Sequence, residues 1–228
     1  MKLNRLAAMI AAIIFAGCSP AAPEAHSQNV AQPKASTAPR AVHLSNFDMF
    51  SLRAGVNRIA DFTGDGREGL IVLGWRDNGN AHGFDVFMVL APTTAGGSDY
   101  NVVTFGTETG WDTRADATSI SDAPHTGEDF VRSVRFGRAM MNGRRETLAF
   151  VATRQIEESY PAPALTRIQV LAMRNRGDDE AGPLDHFDAQ ADFVTVRRYC
   201  NSDAALRTEL GVPLRADYEG PDSADGCS

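Results

Sequence analysis

The chain has 228 residues, 29 acids against 22 lysines and arginines, and a formal charge of −7. A surface of that sign is wrong for a polyphosphate partner, and no basic run occurs, so nucleic acid is excluded as a partner. With 43% apolar residues the chain can bury a sizeable core, and its length past the N-terminal region suits one domain.

Residues 1–17, MKLNRLAAMIAAIIFAG, have the parts of an export signal: Lys2 and Arg5, then an apolar core from Leu6 to Phe15, then small residues. That core is too short to span a bilayer, which takes about 20 residues. The segment Phe15–Cys18 resembles a lipobox, which predicts lipidation at Cys18. Ser19 after it favours the outer membrane, facing the periplasm, with lipid as the sole membrane contact. Loss of Lys2 and Arg5 moves the charge to −9. Residues 18–40 are proline- and alanine-rich, without an aromatic side chain, and predict a flexible tether.

From residue 41 to 228 the pattern predicts a single globular domain. Short runs rich in Val, Ile and Phe are split by Gly, Asn and Asp: GVNRIADF, GLIVLGW, FDVFMVLAP, YNVVTFG, FVRSVRFG, TLAFVATRQ, TRIQVLAMR and DFVTVRRY. Val131, Ser133 and Arg135 alternate with Arg132, Val134 and Phe136, the period of a strand. LIVLGW is apolar throughout, as for a strand covered on both faces. About eight strands with short connections predict a mainly β fold: a two-layer antiparallel, sandwich-like domain with one short C-terminal α-helix. That helix is NSDAALRTELGVP, with Asn201 or Ser202 as N-cap, an acid in its first turn, and Gly211 and Pro213 as its stop.

Three cysteines occur, Cys18, Cys200 and Cys227. With Cys18 lipidated, Cys200 and Cys227 are an even pair in an oxidising compartment and predict a disulfide that pins the acidic tail. Such a loop contributes about 3–4 kcal/mol in the chain-entropy model.

Chemistry is sparse. No SxxK or GxSxG occurs, and the histidines lack HxH or HExxH spacing, so no catalytic residue is assigned. An envelope hydrolase using a spatially assembled triad is the weakest reading. The stretch Asp61–Gly69, DFTGDGREG, places Asp61, Thr63, Asp65 and the Arg67 carbonyl at the first ligand positions of a calcium loop. Gly69 and Val72 stand where the closing ligands belong. The stretch is therefore either a partial site for structural Ca²⁺ or a hairpin turn around Asp65-Gly66, pairing Arg58–Phe62 with Leu70–Leu73. No other cofactor is expected. Asn78, Asn80, His82 and Asp85 lie between two strands and form a candidate binding loop. Trp75, Trp111 and Tyr160 are the aromatic candidates for a contact surface, each expected in the core more often than outside it.

AGVNRIADFTGDGREGLIVLGWRDNGNAHGFDVFMVL resembles the amino-terminal half of the CarG-like carbapenem self-resistance family, with its G-x-N, D-x-x-G-D-G turn and N-x-N-A-H loop. ESYPAPALTRIQVLAMR and YCNSDAALRTELG resemble that family's later strand and closing helix. The resemblance implies a non-enzymatic periplasmic lipoprotein that protects against carbapenems by binding rather than hydrolysis, with a periplasmic protein partner or a second copy of itself. It brings no catalytic residues. The alternative is a calcium-stabilised β-domain with a structural or adhesion role in the envelope.

Overall fold

A computed structural model describes residues 42–79, 83–106, 117–122, 130–175 and 184–228, all within one compact unit. Cys18, Asn80, His82 and Trp111 lie outside these residues.

Among the described residues there are ten strands and one helix: β1 (Leu44–Met49), β2 (Gly55–Ile59), β3 (Gly69–Arg76), β4 (Phe84–Pro92), β5 (Tyr100–Phe105), β6 (Ile120–Ser121), β7 (Arg132–Met141), β8 (Arg144–Arg154), β9 (Ala164–Asn175), β10 (Asp185–Tyr199) and α1 (Ser202–Leu210). They pair in the order β1-β7-β8-β9-β10-β5-β4-β3-β2, with β6 on β4. The sheet curls into a half-barrel whose two ends, β1 and β2, do not pair with each other. The expected β fold with one C-terminal helix is therefore what forms, with β1 and β6 as strands beyond those the pattern shows. The pairing is antiparallel except where β10 meets β5 in parallel, His186 opposite Thr104 and Phe187 opposite Phe105.

The curl turns one face of β7–β10 toward β3–β5. Alternation then sorts side chains into two cores. Between the two halves of the sheet lie Phe87, Phe105, Phe136 and Phe187 with Ile71, Val89, Val103 and Val151. On the opposite face Leu148, Phe150, Ile168, Val170 and several alanines pack under Leu206 of α1. In β7, Val134 and Phe136 point into the first core, while Ser133 and Arg135 turn toward α1 and the tail that follows it, as their alternation predicts. The two-sided cover expected for LIVLGW is not found. Ile71 is sealed in the inter-sheet core, but Val72 faces outward and is only half-buried, because among the described residues no third layer lies over β2–β5.

The helix is bounded as its sequence predicts. Asn201 is the N-cap, its side-chain oxygen accepting from the N–H of Asp203 at 2.8 Å and of Ala204 at 3.4 Å. Gly211 closes it at φ 76°, where a side chain would be strained. Cys200 and Cys227 are bridged, with Cα atoms 4.9 Å apart. The bridge is reinforced by Cys200 N–H to the Asp225 carbonyl at 3.0 Å, Arg207 to the Ser223 carbonyl at 2.6 Å and Thr208 to the Ala224 carbonyl at 2.5 Å. Residues 211–228 thus form a strap held along α1. Buried Arg154 performs a similar service after β8, donating to the carbonyls of Tyr199, Tyr160 and Ala162.

Candidate functional site

The Asp61–Gly69 stretch is a connection between β2 and β3, but not the tight turn expected. Strand pairing ends at Ile59 opposite Gly69, short of the expected Phe62, and Phe62 leaves the strand to plug the inter-sheet core with no exposed surface. A Cβ at Gly69 would stand 2.5 Å from the Phe62 ring, so the glycine that interrupts the calcium pattern is the residue that lets the plug seat. Of the four proposed ligands, Asp61, Asp65 and the Arg67 carbonyl already accept from protein donors, and Thr63 donates to Asp65. Asp61 accepts the Gly66 N–H at 2.6 Å; Asp65 accepts the Thr63 hydroxyl, the Arg67 N–H at 3.1 Å and Arg67 Nε at 2.7 Å. The Arg67 carbonyl accepts the Phe62 N–H at 2.8 Å, and its guanidinium reaches on to the Pro92 carbonyl at 2.7 Å. These bonds fold the loop on itself; against the opposing effect of burial, the Thr63 hydroxyl and the N–H and guanidinium of Arg67 together hold the Asp65 carboxyl below the usual range.

Of the other candidate loop, Asn78 and Asp85 are described: Asn78 is exposed just past β3, and Asp85 lies in β4. Asp85 opens β4 opposite Trp75 of β3, so the two share the inner face of the sheet. Trp75 is not core, as expected of it, but 59% exposed, lying over Gly83, where a Cβ would meet its ring at 2.1 Å. Tyr160 is equally exposed.

Asp85 lines a cleft of about 460 Å³ on the side where the curled sheet fails to close. Its apolar floor is Phe50 and Leu52 from the β1–β2 connection, Leu73 of β3, Phe87 of β4, and Val134 and Phe136 of β7. The third wall is the strap, through Leu214, Arg215 and Asp217. Charges stand at the rim: Asp85, Arg135, Arg215 and Asp217.

Two buried acids organise that rim. Asp203, in the first turn of α1, accepts from the Ser133 hydroxyl and from Arg215 Nε at 2.9 Å, with Arg135 Nη1 at 3.7 Å. Asp122, just past β6, accepts the Asp85 N–H at 2.9 Å and returns its own N–H to the Asp85 carbonyl at 3.2 Å. Arg215 Nη2 stands 3.8 Å from Asp122 Oδ2, and the guanidinium lies over the Phe130 ring at 4.7 Å. Burial pushes the Asp122 carboxyl up to about 7, against the opposing pull of the Asp85 N–H bond and of Arg215, while the charges of Asp85 and Asp203 add to the rise. One arginine of the strap therefore spans from the helix to β6. Nothing in the sequence marks Asp122 or Arg215, and Asp203 reads there only as a helix-start acid.

The cleft offers an apolar surface edged by ion pairs. Ser133 is committed to Asp203, and the His186–Asp188 contact at 3.2 Å lies at the start of β10, outside the cleft lining. No protein-family model matches the sequence, and no curated protein sequence matches it significantly. A solved structure, the crystal structure of CarG, aligns with a TM-score of 0.54 and 19% identity, over 70% of this chain and 93% of that one. The chain therefore has a distant CarG-like fold, with architecture in common and little sequence.

Proposed function

We propose that this chain is a lipid-anchored protein of the bacterial envelope that protects its host against carbapenems by binding, without hydrolysis. The observation that carries this reading is the CarG-like fold, aligned over 93% of CarG. The candidate loop supports it: Asp85 is fixed by Asp122 at the rim of a cleft with an apolar floor, an arrangement suited to contact rather than bond cleavage. The Cys200–Cys227 bridge suits an oxidising compartment, and Cys18 supplies the lipid that holds the domain facing the periplasm. The partner is a periplasmic protein or a second copy of the chain.

Expression of the full chain in a carbapenem-sensitive Gram-negative host is expected to raise the tolerated concentration severalfold, with the drug's absorbance unchanged by the purified protein. Tolerance equal to that of the empty host, with the chain exported and folded, removes the protective reading. Loss of drug absorbance would replace binding with hydrolysis.

A further inference from the structure

The cleft combines an apolar floor with a rim whose arginines are already engaged by the protein. Arg135 and Arg215 both turn to Asp203, and Arg135 also donates to the Pro213 carbonyl at 3.3 Å. We propose that the cleft is a preformed binding site for an uncharged small molecule with an apolar ring system. This goes beyond the protective reading above, because a carbapenem carries a carboxylate and is not such a ligand; the two share only the cleft.

Size, floor and charge each support the assignment. About 460 Å³ is within the usual range for small-molecule pockets, roughly 300–1,000 Å³. The Phe87 and Phe136 rings, 4% and 2% exposed, close the bottom of the cleft, and the half-buried Phe50, Leu52, Leu73 and Leu214 offer the apolar contact. A charged ligand is disfavoured. The two arginines stand among three acids, Asp85, Asp203 and Asp217, which repel an anion, and a cation would have to compete with those arginines for the same carboxylates. The neighbouring wall solvates charge poorly enough that Asp122 itself takes up a proton near neutral pH. The third wall is fixed beforehand: the disulfide, Arg207 and Thr208 hold the strap to α1, and Arg215 ties it to the helix beside the cleft. A wall already in place spares a ligand the ordering cost.

The test uses the full exported chain carrying Cys18→Ser, which needs no detergent, with three probes of one shape: 2-naphthylmethanol, 2-naphthoate and 2-naphthylmethylammonium. Methyl NMR separates the cleft, through Leu52, Leu73, Val134 and Leu214, from the outer sheet face, through Val56 and Val102. The expected result is that the alcohol shifts the cleft methyls and binds at least 10-fold more tightly than either charged probe. Leu214→Asp, on the strap, is expected to lower that affinity 10-fold or more, and Val56→Asp to leave it unchanged. The inference is overturned by no shift at millimolar alcohol, by shifts confined to Val56 and Val102, or by equal or tighter binding of a charged probe. A chain that binds the alcohol in the cleft yet leaves carbapenem tolerance unchanged keeps this inference and loses the protective one. Protection without probe binding does the reverse.

Discussion

The two faces of the long β7–β10 sheet are buried by different means. The inter-sheet face is filled by large rings, with Phe62, Phe136 and Phe187 packed at centroid separations near 6 Å. The helix face mixes Leu148, Phe150, Ile168 and Tyr199 with small side chains, among them Ala139, Ala152, Ala172 and Ala205, which let α1 approach closely but bury less area per residue. A nine-residue helix cannot cover four strands by apolar contact alone, and that face recruits a disulfide, an N-cap, and the Asp203 hub with Ser133 and Arg215. Tyr199 shows the mixture: its ring is sealed under the helix while its hydroxyl donates to Glu209. One face is held by area, the other by specific bonds.

The largest expected effect tests the first half of that contrast. Phe136→Ala should cost about 3–5 kcal/mol in urea unfolding, from lost burial and the cavity left behind. Leu206→Ala on the helix face should cost about 2–3 kcal/mol. Equal losses would mean the two faces are held alike. Next, replacing Cys200 and Cys227 together by serine should cost about 3–4 kcal/mol. The lost hydrogen-exchange protection is expected in α1 and the strap, and protection lost equally in β3 and β4 would contradict the contrast.

A smaller effect comes from Asp122, which borders both regions. Its folded pKa, about 7, lies above the ordinary aspartate value of 3.8, so the folded state binds the extra proton between those limits. Stability contributed by this group therefore falls as pH rises from about 4 to about 7, and is level outside that window. Burial and the charges of Asp85 and Asp203 favour the proton, while the Asp85 N–H bond and Arg215 oppose it. Arg132 is attracted to the same carboxylate. Asp122→Asn keeps an oxygen for the Asp85 N–H and should flatten this dependence, gaining on the order of 2 kcal/mol relative to the parent between pH 4 and 8. Parallel pH curves for the two proteins would show that Asp122 titrates normally. The smallest expected effect is at the Asp61–Gly69 loop, where calcium and chelator should give the same melting temperature, since Arg67 already neutralises Asp65. A calcium-dependent rise of several degrees would reinstate the metal.

How legible each part was depends on the range of the contacts that decide it. The helix and both its caps are written in neighbouring residues, Asn201 to Gly211, and the β7 faces in simple alternation. The disulfide follows from a count of cysteines. By contrast, Phe62 continues an apolar run and reads as strand, and only the space left by Gly69, seven residues on, turns it inward. Trp75 reads as core because it ends an apolar run, yet it lies at the rim where β3 outruns its cover. The cleft joins residues as distant as Leu52 and Leu214, and local pattern carries no trace of such a meeting.

The single parallel contact between β5 and β10 has a consequence for how the chain assembles. Strands β2 to β6 pair among themselves, and β7 to β10 do likewise, each through hairpin or near-neighbour contacts that close short loops. Two local stacks can therefore zip early, while Thr104–Phe105 must find His186–Phe187 some eighty residues along, and β1 must cross to β7. Since the cleft is bounded by β3 and β4 from one stack and β7 from the other, it is a seam, created when the halves dock and completed when the strap is oxidised into place. A fault anywhere along that late docking would reach the cleft first, while both stacks kept their secondary structure.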